Sequence, residues 1–319
     1  MSDLALSPRR GLRLPSVPGV AVALVGLSAL FAATSPGFLS GGNISNILVQ
    51  SVILLLLALP MTLIIMTEGL DLSIGAVLTL SSLVLALIVV STQSLALGLM
   101  GAIGVGLAFG LVNGWLISVV NIPPFVATLG TMGAAQGLAL IVSDGQSVVG
   151  IPRFVRQVYS GDLFGLIPYP LLIGAGFYAL FHVLLYHTRF GTYVCALGGN
   201  RDALTLAGVK WRRLLIAVYA LGGAMAGVAA LLMTARMNAG HPTAAIGMEF
   251  DAIAAVALGG TSFERGNGWI FGTLMGVLTV GVLRNGLNLL AVPSSVQVAC
   301  IGLLVIFALF LDSIRGQKS

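Results

Sequence analysis

Charge is what this sequence has least of. Only 8% of its 319 residues are Asp, Glu, Lys or Arg, against roughly 25% in a soluble domain. The chain holds 10 carboxylates, and its lysines are Lys210 and Lys318. With 58% hydrophobic residues, a soluble fold could not cover its surface with polar groups, so the solvent is lipid. The two cysteines, Cys195 and Cys300, make no metal or disulfide pattern and read as inert packing in apolar sequence. His182, His187 and His241 are dispersed without metal-ligand spacing, and the first two, five apart, are expected off one another's helix face. There is no G-x-x-x-x-G-K-[ST] nucleotide loop and no G-x-S-x-G elbow. An embedded enzyme is therefore disfavoured and no cofactor is expected. Uphill transport would draw on an ion gradient or on another polypeptide. The isoelectric point near 9.6 does not point to nucleic acid, because the basic residues are split among short loops between apolar runs.

What the chain does have is long apolar runs. A span needs about 20 apolar residues, and on that ruler spans fall near 19–35, 47–67, 72–92, 95–117, 124–143, 165–186, 214–233, 249–260, 269–289 and 296–312. This defines an all-α polytopic membrane protein of about ten transmembrane helices. It divides into a cytoplasmic tail (1–18), one membrane domain (19–312) and a second cytoplasmic tail (313–319). The basic start followed by an apolar run resembles a signal peptide, but no small-x-small cleavage site is clear, so a retained first span is expected. With ten spans, 11 of the 15 basic residues fall on one side, which places both termini in the cytoplasm. Arg153, Arg156 and Arg236 fall outside, and Arg284 lies within a span.

Two connections are long. The outer one, 144–164, is polar and turn-rich. The inner one, 187–213, carries a short helical pattern that Asn200 can cap. Small residues recur in the spans, as at Gly98, Gly101, Gly104, Gly106 and Gly110, which predicts close helix packing.

Acids at membrane depth are costly, about 2.5–3.5 kcal/mol at the centre, yet Glu68 and Asp71 head one apolar run and Glu249 and Asp251 another. The two runs, LDLSIGAVLTLSS and FDAIAAVALGGTS, look alike and open spans three and eight, as an inverted five-span repeat would. Capping or interhelical pairing is the plain reading of these acids; contact with a transported solute is the other. The eighth run has about 11 residues and reaches about 16 Å as a helix, so it is expected to be broken or buried in the bundle. The following GGTSFERGNG lacks the lysine of a phosphate-binding loop and reads as a cytoplasmic turn.

Four stretches together carry a resemblance: MTEGLDLSIG (66–75), ALGGNRDALTLAG (196–208), MEFDAIAAVALGGTS (248–262) and LRNGLNLL (283–290). In this order, with PGFLSGGNISNIL (36–48) and NIPPFVATLGTM (121–132) between and before them, the chain resembles the permease subunits of ribose-type ABC sugar importers over nearly its whole length. The resemblance implies the ABC importer permease fold and a second permease subunit, identical or not. It also implies cytoplasmic ATPase subunits and a periplasmic sugar-binding protein that makes the main choice of cargo. It makes Asn200, Ala203, Leu204 and Gly208 candidates for contact with the ATPase, and Glu68, Asp71, Glu249, Asp251, Asn285 and Asn288 candidates for the pathway or gate. The chain departs from the pattern at Phe263-Glu264-Arg265, where the family carries small residues. An ion-coupled secondary transporter using the intramembrane carboxylates is the alternative.

Overall fold

A computed structural model of the chain describes residues 19–262, 266–293 and 295–303. The two tails, the 263–265 tip and the end of the last apolar run lie outside them. The described elements are α1 (Gly19–Thr34), α2 (Gly41–Met66), α3 (Ile74–Thr92), α4 (Leu95–Ser118), α5 (Pro124–Val142), α6 (Arg153–Ser160), β1 (Asp162–Leu163), β2 (Ile167–Pro168), α7 (Tyr169–Tyr186), α8 (Arg189–Gly199), α9 (Arg201–Leu206), α10 (Trp211–Met237), α11 (Met248–Leu258) and α12 (Ile270–Leu289). Residues 295–303 are also helical. Seven helices (α2, α3, α4, α5, α7, α10 and α12) are long and apolar enough to cross a membrane, and α1 is a shorter apolar helix of 16 residues.

Helix α2 forms the axis of the bundle. Every residue from Ser51 to Thr67 is buried, and α2 packs against α7, α10, α11 and α12. Its ends are set locally: the Ser40 hydroxyl accepts from Asn43 N at 3.3 Å, which satisfies one free donor of the first turn. Helices α4, α5 and α7 are also apolar but mostly uncovered within the chain, as lipid-facing helices are.

The expected small-residue packing is the contact between α4 and α10. Gly106 and Gly223 face each other so closely that a Cβ on either would strike the other's carbonyl oxygen. Gly110 sits against the Tyr219 carbonyl, and Gly227 against that of Ala102. Gly98 and Gly101 instead receive Val89 and Ile88 of α3, while Gly104 faces open space.

Helix α10, 27 residues long and so about 40 Å, separates two ends of the bundle. At one end lie α8, α9 and the close of α7: Tyr186 OH accepts from Ile270 N at 3.2 Å, and Gly198 packs on the Met66 carbonyl and on Gly266. At the other end the connection 144–164 forms more order than its polar composition implied. It holds α6 and β1, which pairs with β2 just beyond it, Asp162 opposite Pro168, and Val148 bridges to Gly240.

The expectation for the histidines is corrected. The His182 and His187 rings lie 5.8 Å apart, and His182 also stacks near Tyr178 and Tyr186. His187 is the C-cap of α7, with φ −118° and ψ 6°, so the chain leaves helical geometry there and turns the ring back. Among the described residues no group of three His, Cys, Asp or Glu could hold a metal.

Candidate functional site

Two non-helical segments enter the bundle from opposite ends. Residues 67–73 follow α2 at the α8–α9 end, and residues 238–247 follow α10 at the α6 end. They meet where α3 and α11 begin. The Glu249 carboxylate and the Ala245 carbonyl fill the space where a Cβ on Gly75 would stand, and Ala245 N donates to Thr79 Oγ1 at 3.2 Å. Only glycine lets the start of α3 come this close to the start of α11. Irregular backbone survives at this depth because it is enclosed in protein. The eighth apolar run thus becomes an 11-residue helix, α11, with Ala252 to Val256 fully or nearly buried.

The four acids have four different environments. Glu68 is exposed and takes a left-handed φ of 61°. It lines a cleft of about 310 Å³ with Asn121, Arg201, Trp211 and Tyr219 at the α8–α9 end. Asp71 is buried, and its Oδ1 accepts from Ser73 N at 2.9 Å and from Ser73 Oγ at 2.6 Å. Ser73 Oγ accepts from Asn113 Nδ2 at 2.9 Å, and Asn113 Oδ1 accepts from Thr131 Oγ1 at 2.7 Å. This chain of buried groups ties the first break to α4 and α5. Glu249 is buried and accepts from Gly247 N at 3.2 Å, so it reaches back to the start of its own helix. Asp251 is buried and ion-paired with Arg284 of α12, the one such pair within 4 Å among the described residues.

Asn113 binds both neighbours in this chain, so Asn113→Ala leaves Ser73 and Thr131 each short of a buried partner. The expected cost is about 1–3 kcal/mol, read as a lower thermal midpoint of the purified protein in detergent. An unchanged midpoint would mean the buried chain adds nothing to stability.

Asp251 and Arg284 line a pocket of about 370 Å³ between α2, α10, α11 and α12, together with Gln50, Ser51, Arg236, Asn285 and Asn288. Arg236 Nη2 donates to Gln50 Oε1 at 3.1 Å. Asn285 and Asn43 exchange two hydrogen bonds, at 3.0 and 2.9 Å. Asn288 is exposed and its Oδ1 accepts from Gln297 at 2.8 Å. The structure therefore gathers Asp251, Asn285 and Asn288 into one pocket, sets Glu249 beside it at the helix break, and keeps Glu68 and Asp71 apart from it. Sequence reasoning missed Arg284, Gln50 and Arg236 as site residues. The available signal was Arg284 itself, since a lone cation within an apolar span calls for a carboxylate partner.

At the other end, Asn200 Oδ1 accepts from Ala203 N at 2.8 Å and caps α9 as expected. Leu204 is 5% exposed and belongs to the chain's own core, whereas Leu206 is 90% exposed. Gly208 takes φ 76°, the left-handed turn that ends this segment. Arg201 and Arg212 both lie over the Trp211 ring, at 4.7 and 5.6 Å. Nearby on α8, Cys195 is exposed and not packed inside as the sequence suggested, and desolvation raises its thiol pKa.

A bundle of apolar helices with two broken segments enclosed in it, a polar pocket on one side and a small exposed helix at the far end defines a multi-pass membrane permease. The family described as the permease component of the branched-chain amino acid transport system matches residues 43–309, and the chain belongs to it. Over 279 residues it is 39% identical to the ribose import permease protein of Bacillus subtilis (strain 168), covering 87% of each chain. Over 301 residues it is 37% identical to the ribose import permease protein of Escherichia coli (strain K12), covering 92% of each. The D-allose transport system permease protein of the same strain is 35% identical, with 91% of this chain and 89% of that one covered. No solved structure matches the chain.

Proposed function

We propose that this protein is the permease subunit of an ABC transporter that imports a small neutral sugar across the bacterial cytoplasmic membrane. The observation that carries this reading is the likeness, over about nine-tenths of the chain, to permeases named for ribose and D-allose. ATP hydrolysis takes place on a partner subunit, a periplasmic binding protein delivers the sugar, and a second permease subunit completes the pathway.

Ten spans fit the architecture. The seven long apolar helices are joined by α1, by the short α11 buried in the bundle, and by the apolar run at 296–312. An even number leaves both termini on the side that carries most of the arginines, the cytoplasm. The inverted repeat gains support from α3 and α11. They start at one meeting point and run apart: Ala86 of α3 packs on Gly240 at the α6 end, and α11 is followed by Gly266 against α8.

Helix α9 is the contact for the ATPase. Leu204 anchors it to the core, Asn200 caps it, and Ala203, Leu206 and Gly208 face outward. A short helix held in an ATPase cleft converts nucleotide-driven closure into rigid movement of the spans. Because Leu206 touches little of its own chain, Leu206→Glu is expected to change permease stability by no more than about 0.5 kcal/mol. It should nevertheless lower ATP-driven sugar uptake at least about tenfold, by burying a charge in the partner's cleft. Ala203→Arg or Gly208→Trp should act in the same direction. Uptake by proteoliposomes holding permease, ATPase and binding protein measures this, and wild-type uptake by Leu206→Glu would remove α9 from the contact.

The same preparation tests the importer reading itself. Uptake should require ATP, the ATPase and the binding protein, and should be indifferent to ionophores. Gradient-driven uptake by the permease alone would instead favour an ion-coupled carrier that uses the buried carboxylates.

A further inference from the structure

The sugar-binding protein is the expected selector of cargo, yet the permease carries a polar pocket of its own. We propose that the pocket lined by Gln50, Ser51, Arg236, Asp251, Arg284 and Asn288 is a hydroxyl-reading station for a neutral monosaccharide, so that cargo is checked a second time inside the permease. This rests on the importer reading above.

The chemistry of the lining comes first. Asp251 accepts, Arg284 donates, and both stand together at one wall, a pairing that suits two adjacent hydroxyls, each of which donates and accepts. Asn288 adds an amide donor, its oxygen being taken by Gln297, and the Gln50 amide already bonds Asn46 and Arg236. The Arg284 charge is matched by Asp251, so this wall carries no net charge and suits neutral hydroxyls, while Arg236 remains a cation hydrogen-bonded to the Gln50 amide.

The second observation is independent of composition. Ser51 is 6% exposed, and its hydroxyl has no hydrogen-bond partner among the described residues; neither has the buried Nε of Arg284. Buried polar groups are almost always paired, and both residues line this same pocket. The Ser51 hydroxyl packs toward Gly281, and a turn about its χ1 would bring it to a hydroxylated solute in the pocket. Size agrees, since 370 Å³ lies within the roughly 300–1,000 Å³ of small-molecule sites. Among the described residues no Phe, Tyr or Trp lines the pocket, so recognition by these residues depends on hydrogen bonds without a stacking platform. Such a hold is selective but weak, as transit requires.

The test uses the complete importer in proteoliposomes, with saturating binding protein and a panel of ribose, allose, 2-deoxyribose and gluconate. Each sugar's affinity for the binding protein is measured separately, on that unaltered polypeptide. After correction for that affinity, the wild type should still prefer ribose to 2-deoxyribose. Ser51→Ala and Asn288→Ala should shrink that residual preference by about tenfold, the size of effect that losing a matched hydroxyl contact can produce. Asn288 is exposed, so its truncation keeps the test open even where Ser51→Ala disturbs α2 packing. Unchanged ratios in both variants, or residual preference for gluconate over the neutral sugars, would overturn the proposal. Absence of any ATP-driven sugar uptake by the wild type would instead overturn the importer reading.

Discussion

Gly223→Leu is expected to abolish the native bundle, or to lower its stability by about 3 kcal/mol or more. Gly223 faces Gly106 across the α4–α10 contact, and a Cβ at either site would overlap the other's carbonyl group. What such a side chain meets is backbone. No rotamer can give way, so the two helices must separate. Overpacking typically costs about 1–3 kcal/mol where side chains can shift; rigid backbone on both sides sets this position at the upper end or beyond. Separation would also release the neighbouring contacts of Gly110 with Tyr219 and of Gly227 with Ala102. Gly104→Leu is the control, because a Cβ there meets nothing within 4 Å. Yield of monodisperse protein and thermal midpoint in detergent read the difference. If the two variants behave alike, the close approach of α4 and α10 is not what holds the bundle.

Arg284→Ala should rank next in effect. Asp251 is 3% exposed, and removing its cation leaves a carboxylate in a poorly solvated site. Breaking a buried pair from one side costs about 3–5 kcal/mol, and the 38% exposure of the Arg284 side chain places this case near the lower figure. Asp251→Asn should cost less, because an uncharged amide replaces the anion and Arg284 keeps access to water. The double variant Asp251→Asn/Arg284→Gln should regain much of the loss of Arg284→Ala, since neither partner then carries a charge. A thermal-shift comparison of the three variants decides the matter. Equal effects from Arg284→Ala and Asp251→Asn would mean that the pair contributes as packing and not as charge.

Much of this protein was legible before its structure. The paucity of charge dictated lipid as the solvent, and apolar runs of about 20 residues located the seven long helices to within six residues of their ends. The short eighth run announced its own irregularity, because 11 residues cannot span a bilayer. Asn200 announced its cap. Other features were hidden for identifiable reasons. Helix α6 and strand β1 lie in a segment whose polar composition resembles an open loop, and β2 falls at the start of a run read as a span. The His182–His187 approach depends on one non-helical residue at the end of α7, which helical spacing does not anticipate. Leu204 and Leu206 read alike in the sequence, and only the packing of α9 sends one to the core and the other outward.

The sequence by itself determined the solvent, the long apolar helices and the family to which the chain belongs, because each follows from composition, run length or motif order along one dimension. It could not say which apolar helix is central. Helices α2 and α4 are similarly hydrophobic, yet α2 is almost wholly enclosed and α4 is mostly uncovered. In lipid both environments favour the same side chains, so hydropathy carries no sign of burial. The partners of the acids were equally out of reach. Thirty-three residues separate Asp251 from Arg284, and the Gly75–Glu249 contact joins two runs from different halves of the chain. Tertiary structure alone decided these, because a charge at membrane depth accepts whichever partner the packing of glycine faces brings within reach. EFDAIAAVAL thus states that its acids need partners, and the fold supplies them: the start of its own helix for Glu249, and Arg284 of α12 for Asp251.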